Sequence, residues 1–237
     1  MAAEWGVELG PPFALSRYSF VAPAGGDAVL KVTPAEDDEA DEEADALALW
    51  AGDGAVRLLR RDAGRRTMLV ERARPGTDLA SADEEKATAT AVDVATRLWR
   101  PAAAPFRWIG DHVPRWLDSA ARRGAPLVPL ARSLYDDLDV GRGTLVHGDF
   151  HHHNLLADGA RYLAIDPKPM LGEPEFDVYS FLVNPLRSRM RLDVAERRLA
   201  AFAAAGLDEG RMRTWAVIRG AHLSDDPQRL EVLRALL

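Results

Sequence analysis

The stretch Leu145-Val146-His147-Gly148-Asp149-Phe150-His151-His152-His153-Asn154, followed by Ala164-Ile165-Asp166, constrains this chain more than any other. An aspartate follows His-Gly, an asparagine comes five positions later, and a second aspartate closes a short apolar segment. In-line transfer of a phosphoryl group from ATP uses these residue types in this order. In that chemistry Asp149 takes the proton of the acceptor hydroxyl. Asn154 and Asp166 hold magnesium against the triphosphate, as hard oxygen ligands. Leu155-Leu156-Ala157 and Tyr162-Leu163-Ala164-Ile165 flank Asp158-Gly159, a tight hairpin signal, so Asp166 is predicted to return beside Asn154. Pro167 predicts an extended backbone at Asp166.

Patterning along the chain predicts a two-part α+β organisation. Residues 17–23 and 28–33 read as strands joined by Gly25-Gly26-Asp27. Residues 36–51 read as a helix with an acidic start, which suits the positive end of a helix dipole. Residues 55–60 and 66–71 read as two further strands, and Arg74-Pro75-Gly76-Thr77 breaks the pattern. The expected boundary falls there, with a first lobe over 1–74 and a second over 75–237. Ser81 with Glu84 predicts a capping box for the next helix, which Pro101 ends. Helices are predicted near 112–123, 127–138, 174–184, 192–205, 209–222 and 226–236. Strands plus one helix, then helices around a hairpin, lack the regular alternation of a parallel-sheet fold.

Composition narrows the function. The chain of 237 residues has no cysteine, which excludes disulfides and thiolate metal sites. Its net charge of -7 argues against a nucleic-acid surface. No basic-then-apolar start predicts a signal peptide, and no apolar run approaches the ~20 residues that span a bilayer. A cytoplasmic protein, monomeric or homodimeric, is the expectation. Of the 30 basic residues only Lys31, Lys86 and Lys168 are lysine. Two of these fall in the segments expected to serve ATP.

Lys31 sits in the apolar Ala-Val-Leu-Lys-Val, where an ammonium is costly without a partner. Triphosphate and a carboxylate of the following helix would supply one. Glu43 shares a helix face with Ala40, Leu47 and Trp50, and Glu39 and Glu42 are its rivals. No G-x-G-x-x-G or P-loop motif is present. Phosphate cover therefore falls to the Ser16–Ala22 arm, through Ser16 and Ser19. The adenine is expected against the backbone near Glu71 and Ala73. His151, His152 and His153 invite a zinc reading, but consecutive side chains point in different directions. His147 is grouped with Asp149 in the catalytic loop, which it is expected to brace, and His152 is the histidine expected to face the acceptor.

These segments, with Asp166-Pro167-Lys168 and Gly172-Glu173-Pro174-Glu175-Phe176-Asp177, resemble the aminoglycoside phosphotransferase family, in its streptomycin 6-kinase and hydroxyurea-resistance kinase branch. The resemblance runs from about Pro12 to near the C-terminus. It implies a protein-kinase-like fold, use of ATP and magnesium, and O-phosphorylation of a small molecule such as streptomycin. By the same resemblance Asp149 is the base, Asn154 and Asp166 bind magnesium, Lys31 meets the phosphates and Glu43 pairs with Lys31. Asp177 resembles the aspartate that braces the catalytic loop, and Lys168 is left between phosphate and substrate. The first lobe reads as shorter than the family's usual one, and Pro169 stands where the branch usually has glycine.

The acceptor stays open at this level. Glu173, Glu175, Asp225, Asp226 and Glu231 are candidates for receiving a polycation. Arg187, Arg189, Arg191, Arg197 and Arg198 crowd the same lobe and weaken that reading. A metabolic kinase of a sugar, amino alcohol or fructosamine, an inactive nucleotide-binding protein and a histidine-metal hydrolase are the alternatives.

Overall fold

The structure is a computed structural model that describes residues 2–14, 19–37, 41–185 and 190–237. Ser16, Glu39, Arg187 and Arg189 lie outside the described residues, as do Arg17 and Tyr18 of the first expected strand.

After a short helix α1 (Ala2–Trp5), the strands β1 (Phe20–Ala24), β2 (Ala28–Val32), β3 (Leu58–Asp62) and β4 (Thr67–Glu71) form an antiparallel sheet in the order β1-β2-β4-β3. Successive side chains of a strand point to opposite faces. Ala28 and Leu30 therefore pack with Leu69, Trp5 and Val7 on one side. Val29 lies opposite Val70, and Lys31 opposite Met68, on the other. That second face meets the main core, and Lys31 is carried with it. The helix α2 (Glu43–Trp50) buries Glu43, Leu47 and Trp50, which recur at helical spacing. Burying Leu47 and Trp50 contributes about 2–3 kcal/mol each. The Trp50 indole also donates to Leu98 O at 2.8 Å.

This helix is shorter than the 36–51 expected. It begins at Glu43 after a turn, and Asp37, Asp41 and Glu42 before it face partners elsewhere. Glu42 pairs with Arg107 at 3.1 Å, and Asp41 with Arg66.

The expected break at 74–77 contains a strand, β5 (Pro75–Asp78). Helix α3 (Glu84–Leu98) follows, with Ala87, Ala91, Val94, Ala95 and Leu98 as its buried stripe. The predicted capping box is not formed. Ala82 and Asp83 are extended, so the cap is Asp83, whose side chain accepts from Lys86 N. Ser81 Oγ instead donates to Asp78 O at 3.0 Å, and Glu84 turns to Arg198.

Helices α4 (Ile109–Arg122) and α5 (Val128–Asp136) match their expected positions. Before and after them lie four strands of two or three residues: β6 (Arg100–Pro101), β7 (Arg107–Trp108), β8 (Thr144–Val146) and, after a hairpin, β11 (Met170–Gly172). They form a sheet in the order β6-β8-β11-β7. The predicted hairpin is β9 (Leu155–Asp158) and β10 (Arg161–Ala164), joined by β5 into a three-stranded sheet. The chain ends in α6 (Glu175–Val183), α7 (Leu192–Ala204), α8 (Glu209–Leu223) and α9 (Pro227–Ala235). Eight of α8's residues are buried, and it packs against α4, α5, α6, α7 and α9.

A mixed α+β chain results, with an antiparallel sheet and the helices α1 and α2 before residue 75 and mainly helices after it. One hydrophobic cluster joins the parts, with Leu47, Trp50, Met68 and Val70 packed beside Leu98, Leu155 and Leu163. Val56 N also donates to Ala164 O at 3.1 Å, fastening the loop before β3 to the end of the hairpin. Among the described residues, no helix is long and apolar enough to cross a membrane.

Candidate active site

Strand β8 leads into the loop that begins at His147. Asp177, in the first turn of α6, holds its start. One carboxylate oxygen accepts from His147 N at 2.8 Å and the other from Gly148 N at 2.8 Å. The Trp99 indole donates to the first of these at 3.0 Å. Gly148 has φ +81°, and a Cβ there would lie 1.9 Å from Lys168 O, so only glycine fits.

The His147 ring is fully buried. Its Nε2 lies 3.1 Å from Ile165 O and its Nδ1 accepts from Asp149 N at 3.3 Å. A neutral ring protonated on Nε2 satisfies both contacts. Burial also pushes the imidazole pKa down, against the charges of Asp177 and Asp149. With both ring nitrogens engaged inside the fold, His147 positions the loop and is not turned toward an acceptor.

The hairpin brings the expected trio together. Asn154 Nδ2 donates to Asp149 O at 3.0 Å and lies 3.4 Å from Asp149 Oδ2. Ile165 N donates to Asn154 O at 2.9 Å, setting Asp166 beside it. Burial raises the Asp149 carboxyl, but the His151 hydrogen bond and charge, with His147 and Arg219, outweigh it and hold the group at about 2. His151 Nε2 is 3.4 Å from Asp149 Oδ2. Asp149 is thus a carboxylate at neutral pH, ready to accept a hydrogen bond.

Asp166 is not extended, as Pro167 had suggested. Its φ is +54°, in the left-handed region. The preference imposed by the following proline is overridden by the partner the aspartate meets there. Lys31 Nζ lies 2.5 Å from Asp166 Oδ1 and 2.6 Å from Glu43 Oε2. Burial pulls the ammonium down, but the two carboxylates outweigh this and hold it at about 12. Burial lifts Glu43 to about 7, against the opposing charge of Lys31. Of the rivals to Glu43, Glu42 is committed to Arg107.

Other expected residues fall around this centre. Lys168 N donates to His147 O at 2.8 Å, and its ammonium lies 3.3 Å from Asp37. Ser19 Oγ is 3.4 Å from Thr33 Oγ1, beside the start of β1. Glu71 ends β4, with its carboxylate on Arg57 and Arg161, and Ala73 is buried in the connection that follows.

A cavity of about 220 Å³ opens beside Asp149, between α4 and α8. The residues expected to face substrate do not line it. His152 is buried and stacks on Phe181 at 4.1 Å, with its pKa pushed down to about 3 by burial and the nearby Arg198. Glu173 is buried against Arg211 at 2.6 Å and the Trp215 indole at 2.5 Å. Glu175 accepts from Asp208 N at 3.1 Å. The zinc reading fails on geometry, because His153 turns to Asp78 at 2.7 Å while its neighbours point to Asp149 and Phe181. Among the described residues, no three His, Cys, Asp or Glu side chains converge as a metal site.

Sequence reasoning missed Arg219, whose guanidinium donates to Gly148 O at 3.1 Å and covers Phe176 at 4.1 Å. Its signal was an arginine inside the apolar run Trp215–Ala221. It also missed Trp116, Arg107 and His222 as cavity residues, which no local pattern marks.

The sequence profile of the aminoglycoside/hydroxyurea antibiotic resistance kinase family matches residues 14–225. The chain is 32% identical over 236 residues to a hydroxyurea phosphotransferase of Kitasatospora aureofaciens, covering 91% of this chain and 67% of the relative. It is 32% identical over 233 residues to a streptomycin 6-kinase of Streptomyces glaucescens, covering 89% and 75%. The fold resembles a choline/ethanolamine kinase family protein of Mesorhizobium loti, with a TM-score of 0.69, 18% identity and coverage of 96% and 88%. It also resembles the aminoglycoside phosphotransferase APH(4)-Ia solved with ADP and hygromycin B, with a TM-score of 0.65, 16% identity and coverage of 99% and 95%. The chain therefore has the protein-kinase-like fold and belongs to the aminoglycoside/hydroxyurea antibiotic resistance kinase family of small-molecule phosphotransferases.

Proposed function

We propose that this protein is an ATP- and magnesium-dependent O-phosphotransferase that modifies a hydroxyl of a small molecule in the cytoplasm. The observation that carries the reading is the gathering of Asn154 on Asp149, and of Asp166 on Lys31, at the end of one hairpin. Residues 1–74 cover the nucleotide, with Ser19 toward the phosphates and the Glu71–Ala73 backbone toward the adenine. Residues 75–237 carry the catalytic loop and the acceptor.

The residues fit a magnesium site. Asn154 commits Nδ2 to Asp149, which leaves its amide oxygen as a ligand, and Asp166 already draws the Lys31 cation to a carboxylate oxygen. Bound magnesium-ATP supplies the phosphoryl group and the countercharge for it. Asp149 orients the acceptor hydroxyl and takes its proton. Lys31, held by Glu43, stabilises charge on the phosphates. Asp177 and His147 keep the loop in place.

The names of the relatives put aminoglycosides such as streptomycin first as acceptors. A metabolic acceptor is the second reading, favoured because, among the described residues, Asp149 is the one carboxylate that lines the cavity. ADP release with magnesium-ATP, against streptomycin, other aminoglycosides, hydroxyurea and small sugars, tests the assignment. The expected result is turnover on one acceptor that is lost in Asp149→Asn.

A further inference from the structure

Among the described residues, the cavity beside Asp149 is lined by three cations, Arg107, Lys168 and Arg219, and by a single carboxylate, Asp149 itself. Arg107 and Lys168 have carboxylate partners in Glu42 at 3.1 Å and Asp37 at 3.3 Å, but neither of those lines the cavity. Arg219 presses its guanidinium on Phe176 and donates to the Gly148 carbonyl next to Asp149. The rest of the wall is His112, His222, the Gly148 backbone and apolar or aromatic side chains, including Trp116, Met170, Ile218 and Leu223. Trp116 stacks on His222 at 5.5 Å. Recognition of a polycation needs several carboxylates turned to the ligand, because like charges across a contact repel and lose hydration without return. Of the five acids that would serve, Glu173 and Glu175 are spent on Arg211, Trp215 and the Asp208 amide, Asp226 caps α9, and none of the five lines the cavity.

We propose that the acceptor this cavity takes is a compact hydroxyl compound with an apolar or aromatic face and no positive charge, in place of a polycation. The proposal rests on the kinase reading of Asp149. Its hydroxyl meets Asp149 while its apolar face lies on Trp116, Met170 and Ile218. A neutral or negative substituent is the complement of Arg107, Lys168 and Arg219.

Equilibrium binding to the full chain with magnesium and AMP-PNP tests it, with three probes: mandelate, 2-phenylethanol and streptomycin. At least one aromatic alcohol is expected to bind about tenfold or more tighter than streptomycin. Leu223→Glu, at a half-exposed rim position, adds a carboxylate to the wall and is expected to shift that ratio toward streptomycin by about tenfold. Tighter binding of streptomycin to the wild type overturns the proposal, and so does failure of both alcohols to bind at about 10 mM. Binding needs no transfer step. A loss of Asp149-dependent ADP release would thus sink the kinase reading alone and leave the binding order to decide this one.

Discussion

Lys31 and Asp166 meet at 2.5 Å across 135 positions of sequence, and the same ammonium reaches Glu43 at 2.6 Å. One cation thus ties strand β2, helix α2 and the end of the catalytic hairpin together. Lys31→Met is expected to lower kcat/KM by about 10²–10³-fold, since it removes both a phosphate contact and the restraint on Asp166. Its stability cost is expected to be larger at pH 8 than at pH 6. Glu43 is already lifted to about 7 and, without Lys31, takes a proton at the lower pH and sheds its buried charge. Steady-state kinetics and urea unfolding at the two pH values check both parts.

Asp177 accepts from two consecutive amides and an indole. Asp177→Asn keeps the shape but sets an NH2 group against one of those donors. A buried donor left without an acceptor costs about 1–3 kcal/mol, and more where the acceptor was charged. The variant is expected to lose about 3 kcal/mol in denaturant unfolding. It is also expected to lose kcat more than ATP affinity, because the loop it braces carries Asp149.

Gly148 and Gly159 both have positive φ, +81° and +61°, but only the first is crowded. Gly159→Ala meets open space and is expected to cost about 1 kcal/mol from the backbone alone. Gly148→Ala drives a Cβ into the Lys168 carbonyl. It is expected to cost several times as much and to abolish turnover. Thermal unfolding of the pair separates strain from collision.

Burial pushes His222 below the ordinary histidine value, aided by the Arg123 and Arg219 cations, with the Trp116 backbone opposing. A depressed folded pKa means that its contribution to stability is present above the unfolded value of 6.5 and lost as pH falls below it. His222→Gln is therefore expected to show a shallower fall in unfolding free energy than the wild type between pH 6.5 and about 5. An equal slope would remove His222 from the acid response.

Much of this was legible in the sequence, for reasons that differ by element. Strands β1, β2, β9 and β10 carry local turn chemistry, Gly25-Gly26-Asp27 and Asp158-Gly159, so their pairing is written in neighbouring residues. Asp149, Asn154 and Asp166 lie within 18 positions across one hairpin, and the structure keeps them together. The sheet of β6, β8, β11 and β7 has strands of two or three residues paired over long separations, too short to show a period. The left-handed Asp166 was hidden because Lys31 and the hairpin overrule the local preference set by Pro167. Glu173 and His152 misled because their partners, Arg211, Trp215 and Phe181, come from helices far along the chain.

The most direct test is ADP release by the wild type and by Asp149→Asn with magnesium-ATP and the acceptor panel, alongside nucleotide binding for both. Asp149 stands beside the cavity between α4 and α8 as an ionised carboxylate, with Asn154 fastened to it. The account predicts acceptor-dependent turnover in the wild type, a fall of about 10²–10⁴-fold in the variant and unchanged ATP affinity. Equal rates in the two proteins, or a wild type that binds no magnesium-ATP, would contradict it.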